Sequence, residues 1–182
     1  MIGFAAASAL HGAALVTSYI TEYSLFAFAL AALTWGLLNC LFLVLLRRPG
    51  ISAALSLAFI SFVILMSQFK FGITWMTLTF LDVLVIDSDT FYFLVQIFPI
   101  LKLWLIAGAI VLVPVALLIW WIDPFRVPRP MALVGALMCV AGIVPLSLAF
   151  PEEGYEPFQG INHISNFSRS GVHAISQLLA KG

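Results

Sequence analysis

The sequence predicts an all-α membrane protein: about five transmembrane helices, an interfacial or re-entrant helical segment between the third and the fourth, and a short amphipathic helical tail. Three observations carry that prediction. Hydrophobic residues make up 63% of the 182 positions and charged residues 9%, where a soluble domain runs at roughly a quarter charged. One water-solvated core of this size cannot hide so much apolar surface, so hydrocarbon has to solvate the remainder. Uncharged runs near twenty residues recur along the chain, and a helix of about 20 residues rises roughly 30 Å, the hydrocarbon thickness of a bilayer. The charges, eight acidic and eight basic, collect between those runs. Their balance gives no ground for a nucleic-acid partner; membrane lipids are the partner that the composition implies.

Residues 2–20 are Ala-rich, carry His11, and are followed by Thr21 and Glu22. A cleaved signal peptide is the rival reading, but it needs a basic leading region, and the first basic residue is Arg47. A retained first span is therefore expected. Residues 24–46 carry no charge and end at Arg47, Arg48, Pro49 and Gly50, which makes them the second span. Residues 51–68, followed by Lys70, form the third. Residues 103–121 form the fourth, stopped by Asp123, Pro124, Arg126, Pro128, Arg129 and Pro130. Residues 131–150 form the fifth, closed by Pro151, Glu152 and Glu153. Pro114 and Pro145 are expected to kink their helices.

Residues 71–101 break the pattern. Two apolar stretches flank Asp82, Asp87 and Asp89, each too short to span, and carboxylates at mid-membrane are costly. This region is expected to form one or two interfacial or re-entrant helices on one side, because irregular backbone at membrane depth needs protein or water to cover it. Asp87-Ser88-Asp89-Thr90 reads as an N-cap opening the second of them.

Orientation follows from the short turns. Arg47/Arg48 and Arg126/Arg129 are separated by two spans and must share a side, which the positive-inside rule places in the cytoplasm. With the N-terminus also there, five spans put residues 71–101 and the tail outside, together with Glu22, Asp82, Asp87, Asp89, Glu152, Glu153 and Glu156. Lys70 and Lys102 are minor exceptions. Trp104 at one end of the fourth span and Trp120-Trp121 at the other fit an aromatic belt. The expected location is a bacterial cytoplasmic (inner) membrane.

Small residues recur four apart: Ala27, Ala31, Ala32 and Gly36 on the second span, and Ala132/Ala136 and Gly135/Cys139 on the fifth. Such spacing lets helix backbones approach closely in lipid. Cys40 and Cys139 lie in apolar runs without metal-ligand spacing and read as reduced core residues. No metalloprotease, phosphate-loop or nucleophile-elbow motif is present. Asp87 and Asp89 form a D-x-D pair with no third ligand, better read as a solvated helix start than as a metal site. His163 and His173 read as surface histidines, and His11 and Asn39 as intramembrane polar groups that find a partner helix. Lys70 and Lys102 read as snorkelling cations, with a lipid phosphate as the sharper alternative. No catalytic, cofactor-binding or metal-ligating residue is assigned, and no cofactor is expected.

Two domains follow: residues 1–150, the five-helix transmembrane domain, and residues 151–182, an extracytoplasmic amphipathic linker. In the latter, Ile161, Ile164, Phe167, Val172, Ile175, Leu178 and Leu179 fall at helical spacing, and Gly171 is expected to divide them between two short helices. The expected position is on the outer membrane surface or against something larger. With only Arg169 and Lys181 as cations, tight binding to anionic lipid is not implied.

The run Asn162-His163-Ile164-Ser165-Asn166-Phe167-Ser168-Arg169-Ser170-Gly171-Val172 resembles the juxtamembrane motif of bacterial sulfatase-like membrane transferases, the phosphoglycerol transferase and lipoteichoic acid synthase type. The resemblance implies five N-terminal spans, an extracytoplasmic helical linker and then a large alkaline-phosphatase-like domain. It places the hydroxyl nucleophile and the metal ligands in that last domain, which on this plan would begin where the present sequence stops, at Gly182. No catalytic residue carries over to any position here. The implied function is a membrane anchor, inactive alone, whose partner is an extracytoplasmic sulfatase-like domain or subunit. The alternative is a stand-alone small membrane protein with a structural, lipid-binding or partner-binding role. A transporter is disfavoured by the lack of an inverted repeat and by the few mid-membrane polar residues.

Overall fold

The computed structural model describes residues 2–123, 125–150 and 155–181. Glu152 and Glu153, expected to close the fifth span, lie outside the described residues, as do Met1, Pro124 and Gly182. Among the described residues all regular structure is helical: α1 (Ile2–Thr21), α2 (Leu25–Leu46), α3 (Pro49–Thr74), α4 (Phe80–Val85), α5 (Ser88–Ile97), α6 (Pro99–Ile122), α7 (Arg129–Ala149) and α8 (His163–Lys181), with a 3-10 turn at Glu156–Phe158. Four of them, α2, α3, α6 and α7, are long and apolar enough to cross a membrane. Apolar helices of this length are consistent with a membrane protein. α1, 20 residues long, packs against α3 and, less extensively, α2.

Local chemistry sets most of the boundaries. The Ser24 side chain accepts from the Ala27 N–H and starts α2, while Arg47 in the left-handed region (φ 62°) ends it. Pro49 and Pro99 occupy the first helical positions of α3 and α6, where a missing N–H costs nothing. Asp87 accepts from the Thr90 N–H at 2.8 Å and opens α5 as expected. The helices α6 and α7 continue through Pro114 and Pro145.

The most extensive helix pair is α2 with α7. Its contact is reciprocal: a Cβ on Gly135 would lie 2.9 Å from Cys40 Sγ, and one on Gly36 would lie 3.2 Å from Cys139 Sγ. Each thiol fills the space left by a glycine of the opposite helix, so the small-residue spacing does bring two backbones together. Both cysteines are free. On the other side of α2, Ala31 packs with Ile60 and Ile64 of α3 and Ile164 of α8, flanked by Trp35 and Leu38. By contrast α6 buries only Leu101 and Ile119 and turns Ile110, Val111, Leu117 and Leu118 outward. Such a helix needs hydrocarbon around it.

Three expectations are corrected. The third span does not stop before Lys70 but runs to Thr74, because Lys70 finds a carboxylate and a carbonyl partner inside the fold. The tail is not two short helices but one, continuous through Gly171. Phe80 of α4 lies 3.4 Å from where a Cβ of Gly171 would sit, an ordinary contact, so this glycine simply continues the helix. Nor does the first half of the tail lie on a surface: it is inserted among α2, α3, α4 and α7.

Candidate functional site

Insertion of α8 builds a buried polar cluster at one end of the bundle. Asn162, just before the helix and at φ 60°, donates its N–H to the Thr21 carbonyl at 3.2 Å and accepts from the Tyr23 N–H at 2.8 Å. Glu22, in the same α1–α2 turn, accepts from the Ile164 N–H at 2.9 Å and from the Ser165 hydroxyl at 2.6 Å. A carboxylate 142 positions away thus serves an orphan N–H of the first turn of α8. Burial pushes the Glu22 carboxyl up to about 7 against the pull of the Ser165 and Ile164 hydrogen bonds and the Arg169 charge.

Deeper in the cluster, the Ser67 hydroxyl of α3 accepts from the Leu78 N–H at 3.0 Å and lies 2.8 Å from His163 Nδ1. Burial holds His163 below the usual imidazole range, which fits a neutral ring taking the serine proton. Asn166 donates to Thr77 Oγ1 at 3.3 Å and accepts from Arg169 at 2.6 Å. Arg169 also pairs with Glu156 at 2.5 Å. Thr34 donates to Ser168 Oγ at 2.9 Å, and the Phe80 N–H donates to Ser170 Oγ at the same distance. Five partners from the α1–α2 turn, α2, α3, the turn after it and α4 therefore grip the first two turns of α8.

The second half of the helix is different. Ile175, Leu178 and Leu179 are 51%, 66% and 78% exposed, a bare apolar stripe beyond the gripped segment. Residues 162–170 are thus the anchored ones, and the last turns of the helix are presented.

A second feature lies beside this cluster. A cavity of about 600 Å³ opens between α3 and the arm formed by α4, α5 and the start of α6. Its wall is apolar, with Phe62, Phe69, Leu94 and Phe98 among the lining residues, and Lys70, Asp82, Asp87 and Ser88 also line it. Lys70 Nζ pairs with Asp82 at 2.6 Å and donates to the Thr77 carbonyl at 3.2 Å. Burial raises the Asp82 carboxyl, but the Lys70 hydrogen bond, the Thr79 N–H and hydroxyl bonds and the Lys70 charge together hold it below the usual range. Asp87 is held low by its Thr90 bonds.

Other singled-out residues fall as follows. His11 and Asn39 meet across α1 and α2 at 3.3 Å, and His11 Nδ1 lies 2.6 Å from the Ala7 carbonyl. Asn39 thus has a partner on a neighbouring helix. Lys70 is an internal ion-pair partner rather than a snorkelling cation, whereas Lys102 is exposed. His163 is buried, contrary to its reading as a surface residue, because its ring closes on Ser67. Among the described residues no three His, Cys, Asp or Glu side chains converge as metal ligands. Glu22, Ser67, Thr77, Asn166 and Arg169 were not recognised as cluster members from sequence. A signal did exist: Asn162, Ser165, Asn166 and Arg169 form a polar stripe at helical spacing, which points inward.

At the other end of the bundle the two arginine turns meet, as their shared side requires. The Val127 N–H donates to the Arg47 carbonyl at 2.8 Å, Arg48 donates to the Trp120 carbonyl and stacks on its ring, and Arg129 donates to the Val44 carbonyl at 3.2 Å.

Fold and site together define a helical membrane domain with a polar-locked tail helix. No protein-family profile, curated protein or solved structure matches this chain.

Proposed function

We propose that this chain is a membrane-anchor domain of the kind found in sulfatase-like phosphoglycerol or lipid-headgroup transferases, without turnover by itself. On this reading it has five spans in a bacterial inner membrane, with the arginine turns in the cytoplasm and the tail outside. The observation that carries the proposal is the division of α8. Its first two turns are held by a buried network with partners on several helices, and its last turns offer Ile175, Leu178 and Leu179 uncovered. An anchor needs both: a rigid grip on the membrane bundle and an apolar face on which a neighbouring domain can sit. The juxtamembrane resemblance at residues 162–172 and the positive-inside bias of the arginine turns support the same arrangement.

The test is site-specific photocrosslinking from Leu178 in native membranes, read by mass spectrometry. The expected adduct is an alkaline-phosphatase-like polypeptide, carried on the same chain or on a subunit. Adducts to lipid alone, or to a second copy of the bundle, would overturn the anchor reading in favour of a stand-alone membrane protein. Lipid-headgroup transfer by the purified chain would refute the claim that it is inert.

A further inference from the structure

We propose that the groove between α3 and the α4–α5–α6 arm binds one phospholipid, with an acyl chain along its wall and a zwitterionic, amine-bearing headgroup at the rim formed by Lys70 and Asp87. The proposal rests on the membrane helices and on this groove, not on the anchor reading.

The shape fits an amphiphile. The volume of about 600 Å³ falls within the roughly 300–1,000 Å³ of small-molecule sites. Along α3 the lining runs from Phe62 to Thr74, a rise of about 18 Å at 1.5 Å per residue. Phe62, Phe69, Leu94 and Phe98 supply apolar wall. The polar lining groups are few: Lys70, which lies in the C-terminal half of the α3 stretch and pairs with Asp82, together with Thr74, Asp87 and Ser88. A cleft that opens beside apolar, outward-facing helices suits hydrocarbon, and a mostly apolar wall with a few charged groups matches a molecule that is largely apolar with one polar end.

Charge selects the headgroup. Two of the three Lys70 N–H donors are engaged, by Asp82 and by the Thr77 carbonyl, which leaves one for a phosphate oxygen. Asp82 is neutralised by that pairing. One Asp87 oxygen accepts from Thr90, and the side chain is otherwise exposed at the rim. The rim thus holds one ammonium and two carboxylates, a net negative charge that repels an anionic lipid and attracts a primary amine. A phosphoethanolamine headgroup satisfies both ends: its phosphate meets Lys70 and its amine meets Asp87.

The experiment uses the full chain, reconstituted in bilayers of equal phosphatidylethanolamine and phosphatidylglycerol, extracted into mild detergent and examined by native mass spectrometry. The expected result is one retained phosphatidylethanolamine, favoured several-fold over phosphatidylglycerol. Asp87→Asn keeps the helix cap, since Asn caps as well as Asp, and removes only the charge; its preference should fall to near unity. Ile73→Trp should fill the groove and abolish retention, with circular dichroism reporting the fold. Should Ile73→Trp misfold, Asp87→Asn decides alone. A wild-type chain that retains no phospholipid, that retains both lipids equally, or whose preference survives Asp87→Asn would overturn the proposal.

Discussion

The two ends of the bundle use the same device in opposite settings. At the arginine end, Asp123 reaches across from the α6–α7 turn and accepts from the Gly50 N–H at 2.6 Å, capping α3. At the tail end, Glu22 reaches from the α1–α2 turn and caps α8. Both carboxylates are buried. The difference lies in the cations. Arg47, Arg126 and Arg129 at the first end stay exposed, so their charges remain solvated and cost little. Arg169 and His163 at the second end are buried, so each depends on partners inside the protein. A wet cluster tolerates loss of a member, whereas a dry one does not.

The strongest way to test that contrast is to remove the buried cation. Arg169→Ala should destabilise the protein by about 3 kcal/mol, because it leaves Glu156 without its cation and the Asn166 side-chain oxygen without its donor. Thermal unfolding in detergent would show the loss, and protease sensitivity of α8 should rise with it. Parallel melts of an Arg126→Ala variant supply the comparison below.

The next test uses pH. Glu22 rises from 4.5 to about 7 on folding, so its contribution is full below about pH 4.5 and is lost as pH rises through 7, worth about 3 kcal/mol. His163 is lowered from 6.5, so its contribution is present above that value and is lost as pH falls. In the wild type the two oppose one another, with Arg169 and Glu156 as the other charged groups facing the cluster. Melting temperatures of Glu22→Gln should decline only toward acid pH. Those of His163→Gln should decline toward neutral pH, and toward acid pH should keep only the decline that Asp82 and Asp87 give both variants. Identical profiles for the two variants would mean that neither group governs the cluster.

A smaller effect tests packing away from either end. Gly135→Ala places a Cβ 2.9 Å from Cys40 Sγ and should cost about 1–3 kcal/mol by overpacking. Adding Cys40→Ala should recover much of that cost, a non-additivity that a double-mutant cycle would reveal. The smallest effect belongs to the exposed arginines: Arg126→Ala should change stability by less than about 0.5 kcal/mol. A loss as large as that of Arg169→Ala would erase the distinction between the two ends.

Much of this architecture could be read directly. Long uncharged runs define α2, α6 and α7 because a bilayer demands a fixed apolar length. The Asp87 cap and the shared side of the arginine turns follow from local chemistry and from chain alternation. The boundary of α3 did not, because a lysine reads as a stop until its carboxylate partner is known, and that partner lies 12 residues away in a different helix. The tail misled for a related reason. Its apolar stripe suggested a single face to bury, and Ile164 of that stripe is buried, yet its first turns also bury the polar stripe of Asn162, Ser165, Asn166 and Arg169.

The sequence by itself therefore determined that the chain is helical and where most of the helices long and apolar enough to cross a membrane lie, since these follow from composition and from periodicity over a single segment. Only the tertiary structure decided which polar groups are buried and with whom. Glu22 meets Ser165 across 143 positions and Ser67 meets His163 across 96, and no local pattern encodes such pairs. A buried polar group is stable only when its partner is placed, and the placing is done by the packing of the helices.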